Sequence, residues 1–176
     1  MLIILSGLPG VGKTAIAREL ALQIGAMHLR IDSIEQTMRT FRGVSGPLDD
    51  AGYRVAYVVA EDNLRIGLTV IADSVNPIQL TRDAWLEVAK RAKVSPFEIE
   101  IKCSDVEEHR RRVETRITDV PGLKLPTWEE VLAREYVPWN REHLVLDTAI
   151  TSLDQNVKII REALHERLSK GANSTR

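Results

Sequence analysis

Eight residues near the start of the chain, Gly7-Leu-Pro-Gly-Val-Gly12-Lys13-Thr14, have the spacing G-x-x-x-x-G-K-[ST]. They fall between an apolar, strand-like run and a helical pattern, the context in which that spacing carries meaning. Each position has a physical task. Gly7, Gly10 and Gly12, with Pro9 and Val11 between them, let the backbone curl until successive N–H groups converge on a phosphate, and a helix start adds partial positive charge. Lys13 reaches the terminal phosphates, and the Thr14 hydroxyl ligates Mg²⁺. The chemistry implied is the binding of a nucleoside triphosphate.

Two carboxylates stand where strands are expected to end. Asp73 closes the apolar run Leu68 to Asp73, an arrangement that orients Mg²⁺ or its water, with a turn-forming aspartate as the plain alternative. Asp32 follows the short strand Met27 to Ile31 and precedes a helical pattern over Ile34 to Phe41, so it is also a good N-cap. Ser74 and Asn76 are placed to line a crevice, although Asn76-Pro77 is equally an ordinary turn. Arg112 and Arg116 lie four apart in a helical stretch, hence on one face, directly before the Pro/Gly-punctuated segment Ile117 to Pro126. Two guanidiniums so placed clamp a triphosphate; a solvated basic face offset by Glu107, Glu108 and Glu114 is the competing reading. Arg39, a turn or two past Asp32, serves either an anionic acceptor or the surface. His28, His109, His143 and His165 are scattered without metal-ligand spacing and, like Cys103, read as structural. Trp85, Trp128 and Trp139 read as packing anchors, with Trp128 near enough to the punctuated segment to touch a substrate.

These residues need a scaffold, and hydrophobic periodicity supplies one. Met1 to Ser6 reads as a strand buried on both faces, followed by a helix over Lys13 to Ile24 that Gly25 ends. Further strands are expected over Leu68 to Asp73, Phe97 to Cys103 and His143 to Asp147. Further helices are expected over Tyr53 to Ile66, Leu80 to Lys93, Asp105 to Arg116, Thr127 to Tyr136 and Ser152 to Leu168. Arg42 to Asp50 reads as a loop and Ser169 to Arg176 as a fraying polar tail. Strands alternating with helices predict an α/β fold, a five-stranded parallel sheet with right-handed crossovers and a crevice at the carboxyl ends of its strands. The expected organisation is one domain over 1–170, a short helical lid near 112–128, and a flexible tail over 171–176.

Composition narrows the function classes. The 176 residues are 44% hydrophobic and 28% charged, and no apolar run approaches the ~18 residues of a membrane span. With 24 basic against 25 acidic residues, the net charge of -1 gives no general field for long nucleic acid, so any such contact must be local. Of the basic residues, 17 are Arg, the better fork for phosphate and carboxylate. A single cysteine and an opening without a basic flank point to a reducing, cytoplasmic setting.

The Asn-Lys-x-Asp and Asp-x-x-Gly motifs of switch GTPases are absent from the sequence, and the length leaves no room for a hexameric motor's added lid domain. Small phosphotransferases remain. The phosphate loop, Arg30-Ile-Asp32, Asp73-Ser-Val-Asn76, Arg82-Asp-Ala-Trp85, and the pair Arg112 and Arg116 resemble the small P-loop kinases: polynucleotide 5'-hydroxyl kinase domains, chloramphenicol phosphotransferase, and the gluconate and adenylylsulfate kinases. The resemblance implies a three-layer P-loop NTPase fold and an ATP- and Mg²⁺-dependent phosphotransferase. Asp32 would receive the proton of an acceptor hydroxyl, and the lid arginines would spread the developing charge. The Asp-Gly-Asp pattern of adenylylsulfate kinase and the triple glycine of shikimate kinase are missing. The expected acceptor is a hydroxyl on a small molecule bound by Asp32, Arg39, Ser74 and Asn76, with the 5' end of a polynucleotide as the alternative. From another class, an ATP-gated binding module read by a partner protein is also possible. A monomer or homodimer is expected.

Overall fold

The structure, a computed structural model, describes residues 1–41, 48 and 50–173. Most of the loop expected over Arg42 to Asp50 and the last residues of the expected tail lie outside them. Strands β1 (Leu2–Ser6), β2 (Met27–Arg30), β3 (Val70–Asp73), β4 (Pro96–Lys102) and β5 (Leu144–Asp147) form one sheet in the order β2-β3-β1-β4-β5. Every neighbouring pair is parallel. The helices are α1 (Lys13–Ile24), α2 (Ile31–Thr40), α3 (Ala51–Arg65), α4 (Gln79–Arg91), α5 (Val106–Thr115), α6 (Trp128–Leu132) and α7 (Leu153–Asn173).

The central strand explains the three layers. All five residues of β1 are buried, and alternate side chains enter opposite cores. Ile3 and Leu5 pack with Ile16 and Leu20 of α1 and with Val157 and Ile160 of α7. Leu2 and Ile4 pack with Ala56 and Ala60 of α3 and with Trp85 and Val88 of α4. Among the described residues no helix is long and apolar enough to cross a membrane.

Several boundaries depart from the sequence pattern, those of α2, α5 and α6 with consequences for the site. Helix α2 begins at Ile31, directly from β2, so Arg30 occupies the N-cap position and Asp32 sits in the first helical turn. Asp32 is therefore neither the last residue of a strand nor a cap. Helix α5 stops at Thr115; Arg116 is its C-cap, with extended backbone at ψ 144, so it does not share a helical face with Arg112. The helix expected over Thr127 to Tyr136 is the single short α6, fixed at its start by a reciprocal capping box between Thr127 and Glu130. Helix α7 runs past the expected end at Leu168.

A buried polar hub joins the strand ends. Asn76, wholly buried and in the left-handed region at φ 47, donates from Nδ2 to Ser6 Oγ (3.1 Å) and the Leu5 carbonyl (3.3 Å). Its Oδ1 accepts from Trp85 Nε1 at 3.1 Å. Asparagine tolerates that backbone conformation better than most residues. Asn76→Ala leaves the Trp85 N–H without an acceptor and Ser6 Oγ without its donor, and is expected to cost about 2–4 kcal/mol in urea denaturation. A loss under about 0.5 kcal/mol, the range of ordinary surface changes, would contradict this account.

Candidate active site

The carboxyl ends of β1, β2 and β3 converge on a cavity of about 1000 Å³. Register sets its floor: Leu5 and Arg30 both pair with Asp73. The phosphate loop leaves β1 at Gly7, whose amide donates to the Val75 carbonyl at 3.0 Å. Gly7 has φ 142, and a Cβ there would lie 2.1 Å from the Ile101 carbonyl oxygen. At Gly10, φ is 88 and a Cβ would meet Val113 of α5 at 2.5 Å. Glycine is thus required by backbone conformation and by close packing. Helix α5 braces the loop from outside, with His109 Nε2 donating to the Pro9 carbonyl at 2.8 Å.

Lys13 is buried, and Nζ donates to the Leu8 carbonyl at 2.9 Å. Burial pushes its pKa down to about 8; Asp73 and Asp32 oppose that shift, while Arg116 and Arg134 add to it. An ammonium so placed lacks compensating negative charge, which the terminal phosphates of a nucleotide supply.

Asp73, 4% exposed, accepts from His28 Nε2 at 3.1 Å. Burial alone would raise its pKa; the His28 hydrogen bond, the Lys13 charge and the Thr14 hydroxyl outweigh it and hold the carboxyl below its ordinary value. A hydroxyl and a carboxylate side by side form the hard-oxygen pair that Mg²⁺ takes together with phosphate oxygens. Among the described residues no cluster of three or more His, Cys, Asp and Glu could hold a metal without such help. Thr14 and Asp73 therefore fit Mg²⁺ only as part of a metal–nucleotide complex.

Helix α2 forms the opposite wall. Asp32, Glu35, Gln36 and Arg39 line it, and the segment after α5 crosses above. A Cβ on Gly122 would lie 3.0 Å from Gln36 Nε2. Asp119 pairs with Arg18 of α1 and with Arg30 Nη1 of β2, the latter at 2.7 Å. The segment expected to act as a lid thus contributes lining residues to the cavity. Arg39 lines the cavity but faces Glu35 at 3.5 Å. Ser74 lines it with a buried Oγ beside the Tyr53 hydroxyl.

Two expected site residues need correction. Asn76 does not line the cavity, because its side chain is consumed by the hub. Arg112 lines it, but its guanidinium is also committed. Nε donates to Glu108 at 2.7 Å, Nη1 to Thr148 Oγ1 at 2.8 Å and Nη2 to the Thr148 carbonyl at 3.0 Å, while Thr148 Oγ1 donates to the Val11 carbonyl at 2.9 Å. Arg112 holds the phosphate loop to α5 and to the end of β5. Trp128 does not line the cavity and packs edge-on against His109, as an anchor.

Arg116 does face the cavity, its Nε buried without a partner among the described residues and its pKa lowered chiefly by burial. Arg134, which the sequence reading overlooked, lines the same space, and its charge reaches Lys13, Glu35 and Arg116. Asp119 likewise carries no signal of its own, Arg30 enters only through the Arg30-Ile-Asp32 run, and His28, expected to be structural, holds Asp73. The Thr127/Glu130 spacing was the available clue to Arg134, since a capping box fixes where α6 begins and hence where its far end delivers the next arginine.

A parallel sheet in this order with a phosphate loop after its central strand defines a P-loop protein of the kinase-like class. A family model described as an AAA domain matches residues 2–138, and the chain belongs to that P-loop kinase-like family. No curated protein matches the chain. Several solved structures share the fold. A candidate kinase from Chloroflexus aurantiacus J-10-fl is 21% identical with a TM-score of 0.72, covering 94% of this chain and 96% of that one. Kti12 from Chaetomium thermophilum, in complex with ADP-AlF3, is 24% identical with a TM-score of 0.66, covering 93% and 98%. The APS kinase CysC from Mycobacterium tuberculosis, in complex with AMPPNP and APS, is 19% identical with a TM-score of 0.69, covering 93% and 96%.

The buried lysine yields a stability prediction. Its folded pKa of about 8 lies below the ordinary 10.5, so the folding penalty is full below about 8 and fades as pH rises toward 10.5. Lys13→Met is expected to raise stability at pH 7 by an amount on the order of 1–3 kcal/mol, and to flatten the alkaline rise in stability expected of the parent. Thermal melts across pH 7 to about 10 measure both effects.

Proposed function

We propose that the protein is a Mg²⁺-dependent ATP phosphotransferase that moves the γ-phosphate to a hydroxyl of a small molecule. The observation that carries this reading is the cavity itself, with Lys13, Thr14 and Asp73 at one wall and the Asp32 carboxylate on α2 at the other. The neighbours crystallised with ADP-AlF3 and with AMPPNP use the same fold to hold adenine nucleotides, which supports ATP here.

In this reading the phosphate-loop amides and Lys13 hold the β- and γ-phosphates. Thr14 and Asp73 would hold Mg²⁺, which would supply charge neutralisation at the phosphate oxygens. The acceptor oxygen forms a bond to the γ-phosphorus as the bond to the β-phosphate oxygen breaks, and ADP leaves. Asp32 receives the hydroxyl proton. Its side chain is 53% exposed and 3.9 Å from Arg30 Nη2, so it is open to an incoming hydroxyl and free of a close ion pair. Arg116, from the lid near 112–128, spreads the charge that develops on the transferred group.

A roofed cavity between α2 and the lid suits a small acceptor better than a chain that must continue past the site. The free Cys103 is compatible with a reducing cytoplasm. ADP release measured against sugars, nucleosides, aminoglycosides, phenicol antibiotics and 5'-hydroxyl oligonucleotides tests the class of acceptor.

Asp32→Asn separates the kinase from an ATP-gated binding module. It is expected to keep ATP affinity and the melting temperature while lowering turnover by ~10² to 10⁴. Parental turnover would remove Asp32 from the chemistry. The two arginines should part company. Arg116→Ala is expected to lower turnover by on the order of 10³ with little change in melting temperature. Arg112→Ala, which deletes a buttress of the phosphate loop, is expected to cost about 1–3 kcal/mol of stability. Equal effects of the two substitutions on stability would contradict the assignment.

A further inference from the structure

Eight basic and five acidic side chains line the cavity, and most of the cations are already spoken for. Arg18 and Arg30 share Asp119, Arg39 faces Glu35, and Arg112 is bound to Glu108 and Thr148. Lys13 stands over the phosphate loop. Arg116, Lys124 and Arg134 have no carboxylate within 4.0 Å among the described residues. Arg116 and Lys124 belong to the lid segment after α5, and Arg134 follows α6. Transfer chemistry at the γ-phosphate uses one supplied arginine, and of the two cations left Arg134 is the one whose charge reaches Lys13 and Glu35. A cavity of about 1000 Å³ also has room for a second ligand beside a triphosphate. That room lies between α2 and the lid, where Ser74 also lines the cavity.

We infer that the phosphate acceptor is itself an oxyanion, a hydroxyl compound bearing a carboxylate or a phosphate that Arg134 holds while the hydroxyl faces Asp32. This inference rests on the phosphotransferase reading and adds the acceptor's charge to it. A neutral acceptor filling the compartment would strip water from Arg134 and give nothing in return, whereas an oxyanion supplies charge-assisted, bidentate hydrogen bonds. Ser74 Oγ offers one further donor to the same ligand. Glu35, Asp32 and Arg39 on the facing wall set the orientation: the two carboxylates repel the anionic end toward Arg134 and leave the hydroxyl end near α2.

The test uses the full chain with its phosphate loop saturated by AMPPNP and Mg²⁺, so that an added anion cannot simply occupy that loop. Inorganic phosphate, glycerate and neutral glycerol are then titrated at matched ionic strength while the melting temperature is followed. The expected result is a further, saturable rise with phosphate or with glycerate and none with glycerol; the anion that works separates a phosphate-bearing from a carboxylate-bearing acceptor. Arg134 is exposed, so Arg134→Gln leaves the fold intact. It should weaken the anion at least about tenfold while the shift caused by AMPPNP stays as in the parent. No second shift with either anion, or a second shift unchanged in Arg134→Gln, overturns the inference and leaves the phosphotransferase reading standing. Failure of AMPPNP itself to shift the melt overturns both.

Discussion

The site hangs on Asn76. Its amide ties the ends of β1 and β3 together, and its backbone carbonyl accepts from Arg82 Nε at 2.9 Å. Arg82 is wholly buried without a carboxylate partner among the described residues; carbonyls satisfy it instead, Pro77 at 3.3 Å, Val137 at 2.7 Å and Pro138 at 3.4 Å. Its guanidinium also lies 4.3 Å from the Trp139 ring centroid and 5.1 Å from that of Tyr136. A buried charge is tolerable only when its donors are satisfied and its surroundings polarisable. That requirement makes the chain between α6 and β5 follow one path, and Arg134 enters the cavity from the start of it. One polar network thus sets the phosphate loop, the Asp73 strand end and the last wall of the cavity relative to one another.

The cavity is electrostatically incomplete. Lys13 is buried, Arg116 has an enclosed Nε without a partner among the described residues, and both pKa values are depressed chiefly by loss of water. Folding bears that cost because the network above holds the cations in place. Phosphates return the missing negative charge, so ligand binding and relief of desolvation are one event. Asp73 shows the complementary arrangement: a buried carboxylate kept ionised by His28, Lys13 and Thr14, ready to share its oxygens with a divalent ion.

The fold was legible because each element had a local cause. A continuous apolar β1, the helix α1 stopped at Gly25, and the regular alternation of strand and helix leave few alternatives to a parallel sheet. The phosphate loop and Asp73 were legible for the same reason, since their chemistry is written in consecutive residues or at a strand end. What escaped depends on contacts between distant segments. Asp32-Ser33 looks like a helix start, yet α2 begins at Ile31 without pause, because Ile31 is needed in the core beneath α3 and α4. The i, i+4 spacing of Arg112 and Arg116 promised a common face, but the helix ends between them, sending one arginine to Thr148 and the other to the cavity. Asn76 was read from its turn-like neighbour Pro77, when its partners are 70 and 71 positions away in sequence.

The roof of the cavity is held differently from its floor. The floor is buried hydrogen bonds; the roof is the pairing of Asp119 with Arg18 and Arg30, in which the Asp119 side chain is 53% exposed and Arg18 48%. The Asp119–Arg18 pair is open to water, contributes little and is screened by salt, whereas Arg30, 13% exposed, carries the enclosed half of the contact. In the proposed phosphotransferase, acceptor and product would pass this segment while water is kept from the γ-phosphate. Arg30 joins roof and wall directly: it carries Asp119 of the roof on Nη1 and lies 3.9 Å from Asp32 through Nη2. One guanidinium thus ties the segment after α5 to the first turn of α2, so the position of that segment and the surroundings of Asp32 are set together.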